Sequence, residues 1–253
     1  MMNFDLSDYI KIDTHCHTRP SSLCSQITPK ELVDRYVAEG FGAIVLTNHY
    51  QKAHFLQYGN NKKDILNGYI EDYRQAVKAA IGTPLKVFLG AEVLFRNDET
   101  VPNGNGEKGP LHGEFLLFGV SEQFLWDTFD LTDLTQEELF MLCDKEGILT
   151  YQSPPFRTVH FCRPLNPNFM HGAEVYNPHI EPNFDLALDF ARKNNLLMSS
   201  GSDTHSLREP GNSGMYIPKD ICNQFELRDY LKSGESIIFD RNGLFCVNGI
   251  PLK

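Results

Sequence analysis

The stretch IKIDTHCH, residues 10–17, reads as a short strand that ends in two histidines, His15 and His17. Residues two apart on an extended chain point to the same face, so both imidazoles project together. Imidazole nitrogens are common ligands of divalent transition metals. This stretch therefore predicts a two-ligand clamp for Zn²⁺, Mn²⁺ or Fe²⁺ at the end of the first strand.

Other predicted strands also end in side chains that can bind metals. These side chains are His49 after the strand at 43–47, Glu92 near the end of the strand at 86–94, and Asp203 and His205 after the strand at 196–200. In a (β/α) barrel the carboxyl ends of the strands form one face, where the active site is built. We therefore expect residues distant in sequence to form one metal cluster, with Glu92 or Asp203 as a bridging ligand.

Short apolar segments alternate with amphipathic ones along the chain. The remaining predicted strands are 10–14, 115–120, 148–152 and 173–176, and the predicted helices are 28–40, 64–81, 135–146, 183–193 and 224–231. Strands that are apolar on nearly every residue are buried on both faces, as in a parallel sheet or barrel. We predict an α/β fold, a (β/α) barrel that occupies residues 1–253 as one domain.

Two further segments have a different character. Residues 96–113 form a long Gly/Asn/Pro-rich stretch, which predicts either a functional lid or a disordered loop. Near the end of the chain, 236–240 and 244–247 flank an Asn-Gly pair and predict a closing hairpin.

Composition limits the partners of this chain of 253 residues. Lys plus Arg is 23 and Asp plus Glu is 33, so the net charge of −10 argues against a generic nucleic-acid binder. There is no apolar run long enough to span a membrane and no signal-peptide pattern at the N-terminus. The six scattered cysteines form no CxxC pair, which favours reduced thiols and a cytoplasmic location. The oligomeric state is not predicted.

Several short motifs follow one another in a recognisable order. They are DTHCHT at 13–18, TPKEL at 28–32, GFGAI at 40–44, LTNH at 46–49, GAE at 90–92, QSPPFR at 152–157, GAEVYN at 172–177 and GSDTH at 201–205. The ordered set resembles the PHP (polymerase and histidinol phosphatase) family. The resemblance implies a metal-dependent phosphoesterase on a distorted, TIM-like barrel of seven strands.

The same resemblance implies a ligand set for up to three cations. It assigns His15, His17, Glu92 and Asp203 to one cation, His49 and His205 to a second, and Glu92 as a bridge to a third. The remaining family histidine corresponds to His112 or, in another register, to the position of Phe115. We therefore expect a dinuclear or trinuclear site that holds Zn, Mn or Fe.

The sequence departs from the family pattern at three places. Asn48 stands where the second motif usually has Asp, and Cys24 falls near a position that usually carries an Asp or His ligand. A thiolate there could bind Zn²⁺, or the cysteine could be buried and inert. Pro154 stands where the family has a histidine before a proline. These departures bear on the third cation.

A phosphoesterase of this kind uses two cations to bind phosphoryl oxygens and to lower the pKa of water. We predict catalytic roles for His49, Asp203 and His205, and phosphate-binding roles for Arg157 and Arg19. The expected partner is a small phosphorylated metabolite or nucleotide.

Two alternatives remain open from the sequence. Amidohydrolases, which cleave C–N bonds, also begin with HxH after the first strand and end with an Asp after the last. They normally add a Lys or isolated histidines after the middle strands, and no Lys stands at those predicted strand ends here. The other alternative is a non-catalytic protein that binds metal or ligand, suggested by Pro154 and Asn48.

Overall fold

The computed structural model describes residues 5–157, 161–180 and 183–252. The strands are β1 Tyr9–Cys16, β2 Ala43–Leu46, β3 His49–Tyr50, β4 Lys86–Leu94, β5 Thr100–Pro102, β6 Lys108–Pro110, β7 Glu114–Phe118, β8 Leu149–Ser153, β9 Gly172–Tyr176, β10 Leu197–Ser200, β11 Ser213–Pro218, β12 Ile237–Asp240, β13 Gly243–Val247 and β14 Ile250–Pro251. The helices are α1 Pro29–Ala38, α2 Lys52–Phe55, α3 Lys62–Ala80, α4 Glu122–Asp127, α5 Gln136–Lys145, α6 Phe184–Lys193 and α7 Gln224–Lys232. Every predicted strand and helix is confirmed to within a few residues, as is the hairpin of β12 and β13.

Local capping explains why the two best-predicted helices begin where they do. Thr28 accepts a hydrogen bond from the backbone N–H of Glu31, whose carboxylate bonds back to the Thr28 N–H, and Thr135 and Glu138 repeat this arrangement at α5. Such a capping box satisfies N–H groups that the first helical turn leaves without partners. The helices pack their apolar sides against the sheet and leave the strand ends open.

Twelve of the described strands form one curled sheet in the order β10-β9-β8-β7-β4-β2-β1-β11-β12-β13-β14, with β3 paired to β4, and β5 and β6 form a separate two-stranded sheet. The pairs β1–β2, β2–β4, β8–β9 and β9–β10 are parallel, as expected. The expectation of parallel strands is wrong for β7, which is antiparallel to both β4 and β8. The chain leaves the sheet at the carboxyl end of β4 and re-enters it at the same edge. β7 therefore runs in the opposite direction to β4.

The segment after β10 lies against the end of β1. It brings the last motif, at 201–205, next to the first motif, at 13–18. Cys16 forms a parallel bridge with Thr204, and His17 N–H donates to the Thr204 carbonyl at 3.1 Å. A Cβ at Gly201 would lie 2.4 Å from Cβ of His15, so only glycine permits this approach. Asp13 fixes the contact, because its Oδ1 accepts from Ser202 N–H and from His15 N–H, each at 3.0 Å.

The segment 96–113 contains the hairpin of β5 and β6 and is therefore not a structureless loop. Val101 and Leu111 are buried and belong to the main apolar core. The hairpin therefore packs against the main apolar core through Val101. In the described ranges, no helix is both long and apolar enough to cross a bilayer.

Candidate metal centre

Four parts of the chain bring imidazoles and carboxylates together at one end of the curled sheet. His15 lies near the end of β1 and His17 directly follows that strand, His49 begins β3, and Glu92 lies near the end of β4. Asp203 and His205 come from the segment after β10. His17 lies at the centre, because its ring stacks on His49 at 4.4 Å and on His205 at 4.3 Å between centroids. The sequence-predicted convergence is therefore present in the structure.

His15 faces two carboxylates through one ring nitrogen and a third through the other. Its Nε2 lies 3.2 Å from Oε1 of Glu92 and 3.4 Å from Oδ1 of Asp203. Its Nδ1 lies 3.1 and 3.2 Å from the two carboxylate oxygens of Glu174. A carboxylate accepts from Nδ1–H, which leaves the Nε2 lone pair free and makes the ring more basic. Nε2 is thereby set up as a metal ligand.

His17 is held in the same tautomer by a serine. Ser22 Oγ donates its hydrogen to Oδ1 of Asn48 at 3.0 Å, so at 3.1 Å it can only accept from Nδ1–H of His17. Nε2 of His17 then presents its lone pair 3.2 Å from Oδ1 of Asp203 and 3.4 Å from Oε2 of Glu92. Burial and the neighbouring His205 and His49 hold the pKa of His17 well below its usual value. The ring is therefore neutral, as a metal ligand must be.

A second group of ligands lies beside Glu92. Its Oε2 is 2.8 Å from Nδ1 of His49, and Glu114 Oε1 lies 3.7 Å from the same nitrogen. Ser153 donates to Oε1 of Glu92 at 2.8 Å, and Gln51 Nε2 donates to Glu114 at 2.6 Å. Glu92 therefore touches both the His15–His17 pair and His49, which suits a bridging carboxylate.

Asp203 also contacts a positively charged side chain, the guanidinium group of Arg157. Nη2 of Arg157 lies 3.1 Å from Oδ2 of Asp203, and the Arg157 side chain is only 17% exposed. His205 Nδ1–H donates to the Asp203 carbonyl at 2.8 Å, which leaves Nε2 of His205 as the free nitrogen. Burial alone would raise the pKa of Asp203 and of Glu92. Interactions with several neighbouring groups together outweigh burial and hold both pKa values well below the usual range. These groups are His15 and His49 for Glu92, and His15, His17 and Arg157 for Asp203.

Buried polar atoms without a hydrogen-bond partner indicate whether this cluster fits metal ions. Nε2 of His15, Nε2 of His17, Oε2 of Glu92 and Oδ2 of Asp203 are buried and have no hydrogen-bond partner of acceptable geometry. Polar atoms this deeply buried are normally satisfied, so four of them facing one another fit a site for a divalent cation. Three overlapping groups have ligand atoms within 4.8 Å of one another: His15, His17, Asp203; His17, His49, His205; and His49, Glu92, Glu114. The donor set of imidazole and carboxylate fits Zn²⁺, Mn²⁺ or Fe²⁺.

A cavity of about 380 Å³ opens beside the cluster. Its wall comprises Cys24, His49, Gln51, His54, His112, Glu114, Arg157, His179, His205 and Glu209. Partial burial would raise the pKa of the Cys24 thiol, but hydrogen bonds with His205 and His49 outweigh it and lower the pKa to about 6. The cavity therefore exposes imidazole, thiol, carboxylate and guanidinium groups on one surface.

Of the remaining predicted site residues, His112 contacts the cluster and Arg19 lies outside the described cavity wall. His112 joins it through Glu114, since Nε2 of His112 is 3.0 Å from Oε1 of Glu114. Phe115, which the other register places at the position of the family histidine, has its ring buried in the apolar core against Phe95. Arg19 is exposed and does not belong to the described cavity wall; its charge instead acts on Glu31.

Sequence reasoning missed Glu114 and Glu174. Glu114 stands at the beginning of β7, and only the reversed direction of that strand brings a first residue to the edge where parallel strands end. Glu174 lies within β9 and points inward to His15. The GAEVYN motif quoted above contains Glu174, so an inward carboxylate inside a buried strand was the available signal.

The departures at positions 48 and 154 have local explanations. Asn48 does not bond to the His49 ring; its Oδ1 accepts from Thr18 N–H at 2.7 Å and its Nδ2 faces Oδ2 of Asp72 at 3.4 Å. An aspartate at 48 would oppose the buried Asp72 carboxylate. Pro154 is buried directly after Ser153, which bonds to Glu92.

Comparisons with known proteins agree with this geometry. A family model described as the PHP domain matches residues 13–246. Comparison with curated proteins gives no match.

Solved structures share the fold at low sequence identity. A two-domain protein from Bacteroides vulgatus ATCC 8482, containing a predicted PHP-like metal-dependent phosphoesterase, has a TM-score of 0.65 at 19% identity, over 97% of this chain and 69% of that chain. An amidohydrolase from Chromobacterium violaceum, solved with bound sulfate and no metal, has a TM-score of 0.53 at 15% identity, over 91% of this chain and 98% of that chain. PsfC from Pseudomonas syringae PB-5123 has a TM-score of 0.53 at 14% identity, over 83% of this chain and 82% of that chain.

Proposed function

The chain belongs to the PHP domain family, and from that premise we propose that it hydrolyses a small phosphate ester with the help of two or three divalent cations. The observation that carries this proposal is the set of buried ligand atoms on His15, His17, Glu92 and Asp203 that have no hydrogen bond of acceptable geometry. Carboxylates and neutral imidazoles in this arrangement suit Zn, Mn or Fe. The number and identity of the cations belong to the proposal.

The cations, when bound, would neutralise the phosphoryl oxygens and make water a nucleophile near neutral pH. Arg157 is placed to add a bidentate contact to the same oxygens, because its guanidinium lines the cavity while one arm holds Asp203. Asp203 thereby fixes the guanidinium and faces the His15–His17 pair at the same time.

The histidines at the cavity wall differ in the proton that each can move. His205 keeps its proton on Nδ1, bonded to the Asp203 carbonyl, so Nε2 is free to bind a cation or to accept a proton. His49 directs Nδ1 at Glu92, which assigns it to the cluster. We propose His205 as the better candidate for proton transfer to the leaving alkoxide, with His49 as a ligand.

Cavity size and charge support a small substrate. A volume of about 380 Å³ lies at the low end of sites for small molecules. A neighbouring cleft of about 330 Å³ shares Gln51 and His112 with this cavity and includes Leu94, Phe95 and Leu111 in its wall. We propose that the phosphoryl group occupies the metal cavity and that the alcohol portion extends toward this cleft. The net charge of −10 still argues against nucleic acid as the partner.

The test is a screen of protein reconstituted separately with Zn²⁺, Mn²⁺ and Fe²⁺ against phosphomonoesters, phosphodiesters and C–N substrates such as amides and cyclic ureas. We expect turnover of a phosphate ester that is lost with a chelator and restored by metal. Turnover of a C–N substrate alone would replace the proposal with the amidohydrolase alternative. Metal binding without any turnover would support a non-catalytic binding protein.

The proposal also includes three general features of the chain: its barrel, its domain organisation and its location. The bridge between Cys16 and Thr204 supports a barrel wall of seven strands, namely β1, β2, β4, β7, β8, β9 and β10. We also propose one domain over residues 1–253 and a cytoplasmic location; the six free thiols support the latter.

A further inference from the structure

His54 lies in the wall of the metal cavity but belongs to none of the three groups of candidate ligands given above. Its side chain is half-buried, and it lines the cavity together with Arg157 and His205. Its ring packs against the ring of His49 at an angle of 62°, with 4.8 Å between centroids. The proposed metal ligands and the proposed proton transfer therefore leave this imidazole without a role.

The loop after β1 determines which nitrogen of His54 carries the proton. Leu23 N–H donates to Nδ1 of His54 at 3.1 Å, and the carbonyl of Ser21 lies 3.3 Å from the same nitrogen. The contact with Leu23 is the shorter, and a proton on Nδ1 would oppose the Leu23 N–H. Nδ1 is therefore the acceptor, and a neutral imidazole then carries its proton on Nε2. Burial lowers the pKa of His54, which favours this neutral form.

A second histidine shows the same arrangement with both nitrogens satisfied inside the protein. Thr150 N–H donates to Nδ1 of His171 at 3.1 Å, and Nε2 of His171 lies 3.3 Å from a carboxylate oxygen of Asp144. Among the residues that the structure describes, none accepts a hydrogen bond from Nε2 of His54. Because Nδ1 of His54 faces the loop, its Nε2–H is available to a molecule in the cavity.

We propose that His54 is a substrate-binding residue whose Nε2–H donates to a phosphoryl oxygen of the bound ester. This inference rests on the proposed function, and it adds a neutral donor to the divalent cations and Arg157. Hydrogen bonds to charged oxygens are about twice as strong as those between neutral groups. A neutral imidazole provides such a bond without placing another positive charge beside the cation that His49 would hold. Cation, guanidinium and imidazole can then each contact a different phosphoryl oxygen.

Two substitutions separate the roles of the two ring nitrogens. His54→Asn places an amide oxygen near the position of Nδ1, so it keeps an acceptor for Leu23 N–H but has no donor at the position of Nε2. His54→Gln carries its amide nitrogen near the position of Nε2, so it keeps that donor but lacks the acceptor for Leu23. His171→Asn is the matched control, because Nδ1 of His171 also accepts from a backbone N–H but the residue lies outside the described cavity wall.

Calorimetric titration of inorganic phosphate into the zinc-reconstituted protein measures the contact without catalysis. We expect His54→Asn to bind phosphate about 10-fold or more weakly than the wild type, as for the loss of a hydrogen bond to a charged group. His54→Gln should retain most of the affinity, and His171→Asn should match the wild type. Elemental analysis should give the wild-type zinc content for all three variants.

Three results of this titration would overturn the inference. The first is equal phosphate affinity in the wild type and His54→Asn, and the second is an equally large loss in His54→Gln. The third is a wild type that binds no phosphate. Loss of zinc from His54→Asn would also overturn it, because His54 would then act through the metal ligands.

Kinetics distinguish this inference from the proposed function. A wild type that hydrolyses a phosphate ester, together with an unchanged kcat/KM in His54→Asn, would disprove the inference and leave the proposed function standing. A wild type that hydrolyses no phosphate ester would contradict the proposed function. The phosphate titration of the same proteins would still decide whether His54 binds phosphate.

Discussion

Nδ1 of His15 lies 3.1 Å from Oε1 of Glu174, and neither side chain is exposed to solvent. Asn177 Nδ2 donates to the other carboxylate oxygen of Glu174 at 2.9 Å. The carboxylate therefore accepts from both sides, and it determines which nitrogen of His15 faces Glu92 and Asp203. A residue that touches no cation thus controls the ligand at the centre of the cluster.

Replacing Glu174 with Gln should weaken metal binding while keeping the side-chain volume. The substitution replaces one carboxylate oxygen with an NH2 group, which cannot accept a hydrogen bond and would face the N–H of either His15 or Asn177. Loss of such a partner typically lowers metal affinity by about 10- to 100-fold. Competition with a chromophoric chelator measures this change. Glu31→Gln, at the exposed cap of α1, is the control, and equal affinity in both variants would contradict this role for Glu174.

Arg157→Ala should reduce kcat/KM and leave the metal content unchanged. A hydrogen bond to a charged group contributes about 1.5–3 kcal/mol, which corresponds to roughly a 10- to 100-fold loss. Arg157→Lys keeps the charge but lacks the planar fork and should recover only part of the rate. Steady-state kinetics and elemental analysis separate the two effects.

Arg19→Ala provides the matched control for that measurement. The Arg19 side chain is exposed, and the cavity wall given above does not include it. We expect kcat/KM to stay within about twofold of the wild type, as is usual for a surface substitution. A loss as large as that of Arg157→Ala would support the predicted role of Arg19 as a phosphate anchor.

Asn48 and Asp72 form a buried amide–carboxylate pair. Asn48→Asp would place a second carboxylate beside Asp72, which is 1% exposed. Like charges at this separation, or protonation of one of them, should cost about 1–3 kcal/mol and lower Tm by several degrees. The double variant Asn48→Asp with Asp72→Asn restores the pairing and should recover most of the Tm. A double variant no more stable than Asn48→Asp would show that the pair is not coupled.

The ligands at strand ends could be predicted because strand position alone determines where they converge. His15, His17 and Asp203 follow apolar segments whose carboxyl ends share one edge in parallel strands, and the structure places them there. Glu114 could not be found in this way, because it begins a strand that runs in the opposite direction. That direction depends on where the segment 95–113 returns to the sheet, and hydrophobic periodicity contains no information about it.

The hydrogen bonds around the ligands could not be predicted from the sequence either. Glu174, Ser22 and Asn48 act through contacts between different elements, and their distances depend on the curvature of the sheet. Arg19 lies outside the described cavity wall for a related reason, because its proximity to His17 in sequence does not determine which way its side chain points.

Removing individual ligands should remove metal and activity together. His15→Ala deletes the nitrogen that faces both Glu92 and Asp203, and Asp203→Ala deletes the carboxylate that faces His15 and His17. We expect each variant to lose at least one bound cation and nearly all hydrolysis. Elemental analysis together with activity is the measurement. Wild-type metal content in both variants would refute the assignment of these ligands.

Metal should also stabilise the folded chain, because the cluster places carboxylates and imidazoles together where water does not reach them. A ligand that binds only the folded state at 100 times its Kd contributes about 2.7 kcal/mol. For a chain of this length that corresponds to a rise in Tm of roughly 5–10 °C. Thermal unfolding of chelator-treated protein with and without added Zn²⁺ measures the rise. Glu174→Gln should show a smaller shift at the same zinc concentration, whereas Glu31→Gln should match the wild type. An identical Tm with and without zinc in the wild type would show that the buried cluster does not bind the metal in the folded state.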